Sequence, residues 1–148
     1  HFKYRAASAS ANKWEFAGGG SLCEVLTGAT TRTGDGTYGD LVAGAMTTWT
    51  LALAGDYLID VGADLSPGAA SFGFFASFSV AGATALDTDA ALAYGGAGVA
   101  PGQWGVCHVA RKTGLAAGTT IQPKFKMQGT VAGNVDRRFI RITPVRVG

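Results

Sequence analysis

The segment Ala54–Leu65 constrains the fold most, because its residues alternate in polarity. Every second residue from Tyr57 to Leu65 is apolar, and the positions between hold Leu58, Asp60, Gly62 and Asp64. Successive side chains of a strand point to opposite faces, so the pattern predicts a strand with one face on a core and the other largely in water. A helix would mix the aspartates with the apolar residues and leave no apolar stripe. Gly55-Asp56 is typical of a tight turn, so we expect a β-hairpin with Trp49–Leu53.

The rest of the chain repeats short strand patterns between glycine-rich turns. Residues 72–80, 103–113, 119–128 and 136–147 are predicted strands, and residues 21–26 form a shorter one. Pro123 cannot donate a ladder hydrogen bond, so its strand should have a bulge or a free edge there. Eight to ten strands without a significant helix indicate an all-β fold, an antiparallel sandwich or closed barrel. We assign residues 1–12 to an N-terminal arm and residues 13–148 to the domain.

The predicted core combines the central strand with the aromatic strand that follows it. Its members are Tyr57, Ile59, Val61, Phe74 and Phe78. Phe139, Ile140 and Ile142 of the last strand are expected in or beside this core, while Tyr94 and Trp104 are candidates for a subunit interface.

Charge is distributed unevenly along the chain. Residues 1–110 carry four basic and nine acidic residues, a net charge of −5, whereas residues 111–148 carry eight basic residues against Asp136, a net charge of +7. The basic residues alternate along strands instead of forming a block, so we expect them to neighbour acidic strands within the molecule or between copies of it. Nucleic-acid binding is disfavoured, because the basic segments lack interleaved aromatic residues on the same face.

No catalytic, cofactor or metal motif stands out. His1 and His108 have no zinc-ligand spacing, and the glycine clusters lack a phosphate-loop lysine. Asp35 and Asp40 fit turn caps better than a calcium loop. Asp60 and Asp64 share a strand face and could serve acid–base chemistry, but solvated strand residues are commoner. Cys23 and Cys107 form no disulfide framework, and we expect Cys107 to be a buried thiol in an apolar strand, with His108 a core histidine.

Four motifs in order along the chain resemble a known family. They are KWEFAGG at 13–19, AGDYLIDVGA at 54–63, ARKTGLAAGTTIQPKFK at 110–126 and RRFIRITPVRV at 137–147. They resemble the C-terminal β-sandwich domain of tailed-bacteriophage tail-fibre and minor tail proteins. The central segment and the last strand are also similar to the jelly roll of the tumour-necrosis-factor and complement globular-head class, whose members are usually homotrimers. The resemblance implies a jelly roll, an extracellular binding role or a virion structural role, and no catalysis.

The expected function is a non-enzymatic virion structural protein, a trimeric head at a tail fibre or tail tip that engages the host surface. Its partners would be other virion proteins and a host-surface glycan or protein, with no cofactor and no membrane insertion. A capsid decoration protein of the same fold and a carbohydrate-active enzyme fragment are the alternatives. The chain begins at His1, which suggests a processed product or part of a longer protein.

Host contact is expected on loops held by the rigid sandwich. The longest predicted loops are residues 28–44 and 83–102, and their anchoring side chains are Arg32, Tyr38 and Tyr94. Few such anchors are available, so we expect weak contact per copy and dependence on several copies acting together.

Overall fold

The structure is a computed structural model that describes residues 2–4, 14–16, 21–43, 45–67, 72–95, 103–129 and 133–147. Most of the predicted arm, residues 1–12, lies outside these ranges. The described strands are β1 Phe2–Tyr4, β2 Trp14–Phe16, β3 Leu22–Arg32, β4 Trp49–Thr50, β5 Gly55–Pro67, β6 Phe72–Val80, β7 Ala91–Gly95, β8 Trp104–Leu115, β9 Thr120–Gln128 and β10 Gly133–Val147. A single 3-10 turn, Asp87–Asp89, is the helical element among them.

Two four-stranded antiparallel sheets form a sandwich. The first sheet has the strand order β3-β10-β5-β8, and the second sheet has the order β4-β9-β6-β7. β1 pairs only with β2, in a separate two-stranded ribbon. Eight strands arranged as two interleaved four-stranded sheets are the jelly-roll form of the β-sandwich. The predicted fold class and strand number are confirmed.

The core lies between the two sheets. Tyr57, Ile59 and Val61 of β5 face Phe74 and Phe78 of β6, and all five are at most 5% exposed. The other fully buried large side chains are Leu51, Leu65, Ile121, Phe125, Met127, Val135, Ile140 and Ile142. The predicted core is therefore confirmed, and the predicted set of side chains in β5 and β6 faces inward.

The predicted hairpin between Trp49–Leu53 and β5 is wrong. β4 pairs with β9 in the second sheet, whereas β5 lies in the first sheet. The connection crosses between the sheets, held by a Leu51 N–H that donates to the Thr119 carbonyl at 2.9 Å. Gly55 has φ +147°, and its Cα lies so close to the Arg146 carbonyl that a side chain would clash. The glycine therefore turns a sheet-to-sheet crossover and not a two-residue hairpin loop.

Acidic residues of β5 lie directly opposite arginines of β10. Asp60 is the cross-strand partner of Arg141, and Asp64 is the partner of Arg137. Both pairs are ion pairs, with 2.9 Å between Arg137 Nη2 and Asp64 Oδ2. The expected pairing of basic with acidic strands within the molecule is confirmed. Asp60 is only 7% exposed, however, so the polar face of β5 is not largely in water.

Adjacent apolar residues misled the face assignment in β8 and β10. Cys107 is exposed, so the predicted buried thiol is wrong, and His108 is half-buried. Ile140 and Ile142 are in the core as expected, but Phe139 points to the opposite face and is half-buried. β8 is an edge strand with one face in solvent. Its sequence is apolar on both faces, so no alternation of polarity shows which face is buried.

The strand β3 is longer than predicted. β3 continues to Arg32, so residues 28–32 belong to a strand and not to a loop.

Pro123 lies at a part of β9 that has no hydrogen-bonded neighbour on one side within the described residues. Along β9, the Phe125 N–H points away from β6 and donates to the Gly39 carbonyl at 3.0 Å. Pro123 has the same orientation two residues earlier, where β4 has already ended, so its missing N–H interrupts no ladder bond.

Within the described residues, no helix is long and apolar enough to cross a membrane.

Truncation of Phe78 tests the core assignment. Phe78 is 2% exposed, so Phe78→Ala should lower the free energy of unfolding by about 3–5 kcal/mol, the usual cost of a large cavity. Val145→Ala, at a position that is 50% exposed, is the control and should change it by less than about 0.5 kcal/mol. Urea unfolding measures both, and a loss below about 1 kcal/mol for Phe78→Ala would contradict the assignment.

Candidate binding surfaces

The carboxylates considered for acid–base chemistry are held as ion-pair partners. Asp60 accepts from Arg141 Nε, and Asp64 lies 2.9 Å from Arg137 Nη2. Both aspartates lie on the outer face of the first sheet, as the alternation of polarity in β5 predicts. Each forms an ion pair with the arginine opposite it on β10. A proton-transfer role would have to break these pairs, so the geometry is that of a charge ladder between strands.

Arg32, the last residue of β3, is buried and binds the loop that follows it. Its Nε donates to the Phe125 carbonyl at 2.8 Å, and its Nη2 donates to the Thr37 carbonyl at 2.7 Å and to Asp35 at 3.1 Å. Asp35 in turn accepts from the Thr37 N–H at 2.9 Å, which is the predicted aspartate turn cap. Arg32 is 7% exposed, so the guanidinium fastens the loop of residues 33–43 to β9.

Tyr38 belongs to a second group of contacts that holds the same loop in place, and the buried Lys126 is at its centre. Lys126 is 6% exposed, and its Nζ lies 3.9 Å from the Phe75 ring centroid and 4.7 Å from that of Tyr38. The same ammonium donates to Asp87, and the Tyr38 hydroxyl donates to Asp87 at 2.8 Å. The hydrogen bond from Lys126, and after it the one from Tyr38, lowers the pKa of Asp87. Burial is the main cause that raises the pKa of Tyr38, and the hydrogen bond to Asp87 raises it further.

Tyr94 is the exposed member of the three predicted contact residues. It stands on the edge strand β7, is 57% exposed and makes an edge-to-face contact with Phe75 at 5.6 Å. Tyr38 and Tyr94 are therefore joined through Lys126 and Phe75, while Arg32, the last residue of β3, binds the loop that carries Tyr38. The structure brings the predicted residues to the outer side of the second sheet, but only Tyr94 presents most of its surface to solvent.

A small cleft lies between the fastened loop and the turn that follows β6. It has a volume of 260 Å³, and its lining includes Tyr38, Ser79, Gln122, Lys124 and residues 82–85. A second cavity of 260 Å³ lies at the end of the sandwich, and its lining is mostly apolar, with Leu22, Leu51, Tyr57 and Ile142. Among the described residues, no group of three or more His, Cys, Asp or Glu side chains could hold a metal ion.

The outer face of the first sheet carries an apolar surface that the sequence did not reveal. One cross-strand row runs Val25, Phe139, Gly62, Cys107, and the neighbouring row ends in Val109. Val25 is 56% exposed and Val109 53%. We call these residues, Val25, Phe139, Cys107 and Val109, the sheet-face surface. The Phe139 ring packs on Gly62, where a Cβ would lie 2.5 Å from it, so this position accepts no side chain.

A second exposed apolar surface lies along the edge strand β7, on the outer face of the second sheet. Leu92 and Tyr94 of β7 are 52% and 57% exposed, and Leu86 in the preceding turn is 54% exposed. These three residues form what we call the edge surface. Trp104, the other predicted interface residue, is half-buried and packs edge-to-face on Phe72 at 6.1 Å, on the core side of β8.

The two cysteines lie on one face without reaching each other. Cys23 on β3 pairs with Arg141, and Cys107 on β8 pairs with Gly62, so β10 and β5 stand between them. Three strand spacings amount to roughly 14 Å, well beyond the Cα separation of a disulfide. Both are therefore exposed free thiols on the outer face of the first sheet.

Of the comparisons with known proteins, only the one with solved structures gives information about the fold. A scan against protein-family models finds no matching family, and no curated protein matches. Among solved structures, the chain is similar to the Eiger TNF of S. frugiperda, with a TM-score of 0.57 and 10% sequence identity, over 86% of this chain and 94% of that chain. The chain therefore has a TNF-like jelly-roll fold.

The Asp87 contacts predict a pH dependence. Because the folded state lowers the pKa of Asp87, its ionised form stabilises the fold above the unfolded pKa of about 3.9, and this contribution is lost as the pH falls through the folded pKa. Asp87→Asn should therefore be less stable than the wild type at pH 6, and the difference should shrink below about pH 3.5. Thr88→Ala is the matched control, and urea unfolding across pH measures both. An equal difference at every pH would contradict the assignment.

Proposed function

We propose that this chain is a non-enzymatic structural domain of a bacteriophage virion, the trimeric head of a tail fibre or tail tip that engages the host cell surface. The sequence resemblance supports the virion role, and the TNF-like jelly roll supports a head domain. The observation that carries the trimer is the presence of two different exposed apolar surfaces, the sheet-face surface and the edge surface.

Two distinct surfaces favour a ring over a twofold dimer. A twofold interface uses the same patch on both subunits, whereas contact between different patches generates a closed ring when the rotation allows it. The edge surface of one copy, with its protruding Tyr94, would cover the sheet-face surface of the next. Aromatic side chains are enriched at the centres of such interfaces, and charged residues lie around them. The Arg137–Asp64 and Arg141–Asp60 pairs flank the apolar row in this way.

The trimer would leave the cleft exposed. The neighbouring copy would cover β7 near Tyr94, which lies opposite Gly73 at the start of β6, whereas the cleft lies at the other end of β6, beside Ser79 and Gln122. Three copies on one head raise the effective concentration of a weak contact, so modest affinity per copy suffices for adsorption.

Charged substitutions on the two surfaces test the trimer. Val25→Glu and Leu92→Glu each place an unpaired charge where the proposal puts an apolar contact, so either should convert a trimer to monomers. Val42→Glu, at a loop position that is 72% exposed and outside both surfaces, is the control and should stay trimeric. Sedimentation at micromolar concentration gives the mass. A monomeric wild-type protein would overturn the assembly.

Location and adsorption test the virion role. Antibody against this chain should label tail fibres or tail tips of intact particles in electron micrographs, and excess free protein should compete with particle adsorption to host cells. Label spread over the capsid without competition would indicate a decoration protein of the same fold. No label on particles at all would overturn the virion role.

A further inference from the structure

The cleft on the second sheet has the size and position of a site for one small ring. It lies between Tyr38 of the fastened loop and the turn of residues 82–85, with Ser79 and Gln122 in its lining. Its volume of 260 Å³ is just below the range of roughly 300–1,000 Å³ for drug-sized ligands, so it suits a single ring. The loop and turn that form its walls are fixed through Arg32 and Asp87, which makes the cleft preformed.

Polar side chains converge at one side of this cleft. Asp40 Oδ1 accepts from Lys124 Nζ at 2.9 Å and lies 3.4 Å from Gln122 Nε2. An ammonium has three donors, and a carboxamide has two donors and an acceptor, so each group has capacity beyond these contacts. The site therefore offers both donors and acceptors beside the Tyr38 side chain.

The charges at the cleft balance. The Lys124 ammonium, which lines the cleft, is paired with the Asp40 carboxylate, so the cleft presents no uncompensated charge to a ligand. A ligand with several hydroxyl groups and an apolar ring face uses the mixed donors and acceptors without disturbing this pair.

We propose that this cleft binds one residue of a neutral saccharide. Gln122 and Lys124 would bond its hydroxyl groups, and the Tyr38 side chain would pack against the ring. The inference deepens the proposed function and rests on it, because the proposed trimer leaves the cleft open toward a host surface.

Titration of the full chain with neutral methyl glycosides tests the proposal. Methyl glucoside, galactoside, mannoside and N-acetylglucosaminide are added to isotopically labelled protein, and amide shifts are followed by NMR. At least one should shift residues 38–40, 82–85 and 122–124, with a millimolar dissociation constant. Sialyllactose, which is anionic, should bind more weakly than this sugar.

A matched pair of variants locates the site. Gln122→Ala should weaken binding about tenfold, the value of one lost hydrogen bond near 1.4 kcal/mol. Gln128→Ala makes the same substitution at the exposed end of the same strand, outside the cleft, and should bind as the wild type does. Melting temperatures confirm that both variants fold. Equal binding by the two variants, no shifts with any glycoside, or stronger binding of sialyllactose would overturn the proposal.

The outcome is separable from that of the proposed function. Saccharide binding by the isolated chain combined with absence from particles would reject the virion role and leave the cleft assignment intact. Competition for adsorption without any glycoside binding would keep the virion role and reject the saccharide site.

Discussion

The pairing of β5 with β10 is the constraint on which the rest of the structure depends. These two strands occupy the centre of the first sheet, and their register sets Asp60 against Arg141 and Asp64 against Arg137. If β10 slipped by one residue against β5, Ile140 and Ile142 would turn out of the core and both ion pairs would break at once. Apolar burial on one face and charge pairing on the other therefore specify the same register, which is the consistency expected of a well-defined native state.

The same register creates the surface on which the proposed assembly depends. Between the two ion pairs it sets Phe139 opposite Gly62, and the Phe139 ring occupies the space that a side chain at Gly62 would need. Val25 and Cys107 extend this row to both edge strands. The second sheet has the complementary role, because Arg32 and Lys126 fasten a loop over its outer face and leave a preformed cleft. The first sheet and the edge strand β7 are thus suited to contact between copies, and the other end of the second sheet to contact with a ligand.

Sequence reasoning succeeded where polarity alternates and failed where it does not. The alternation from Tyr57 to Val61 and the spacing of Phe74 and Phe78 assigned the core faces correctly, because burial on one side dictates a period of two. The supposed hairpin failed because alternation identifies a strand and not its partner. Phe139 and Ile140 are neighbours of equal apolarity, so no pattern could say which one faces inward.

The binding surfaces were harder to foresee, because their contacts join distant parts of the chain. Arg32 was expected to be an exposed contact residue. It is buried because its guanidinium donates to the Phe125 carbonyl, 93 positions away in the sequence. The clamp of Lys126 between Tyr38 and Phe75 likewise joins three strands or loops that no local pattern links. The cross-strand arginines were the one foreseeable signal, since basic residues at alternate positions predict acidic partners on a neighbouring strand.

The most direct test of the central claim uses Cys107, an exposed thiol on the outer face of the first sheet. If neighbouring copies cover the sheet-face surface, Cys107 in the native protein should react with a thiol reagent far more slowly than it does in the Val25→Glu variant. Labelling rates at Cys107, read by mass spectrometry of peptides, measure this protection at equal protein concentration. We expect at least a tenfold difference between the two proteins. Equal and rapid labelling of Cys107 in both would show that the face is open and would contradict the account.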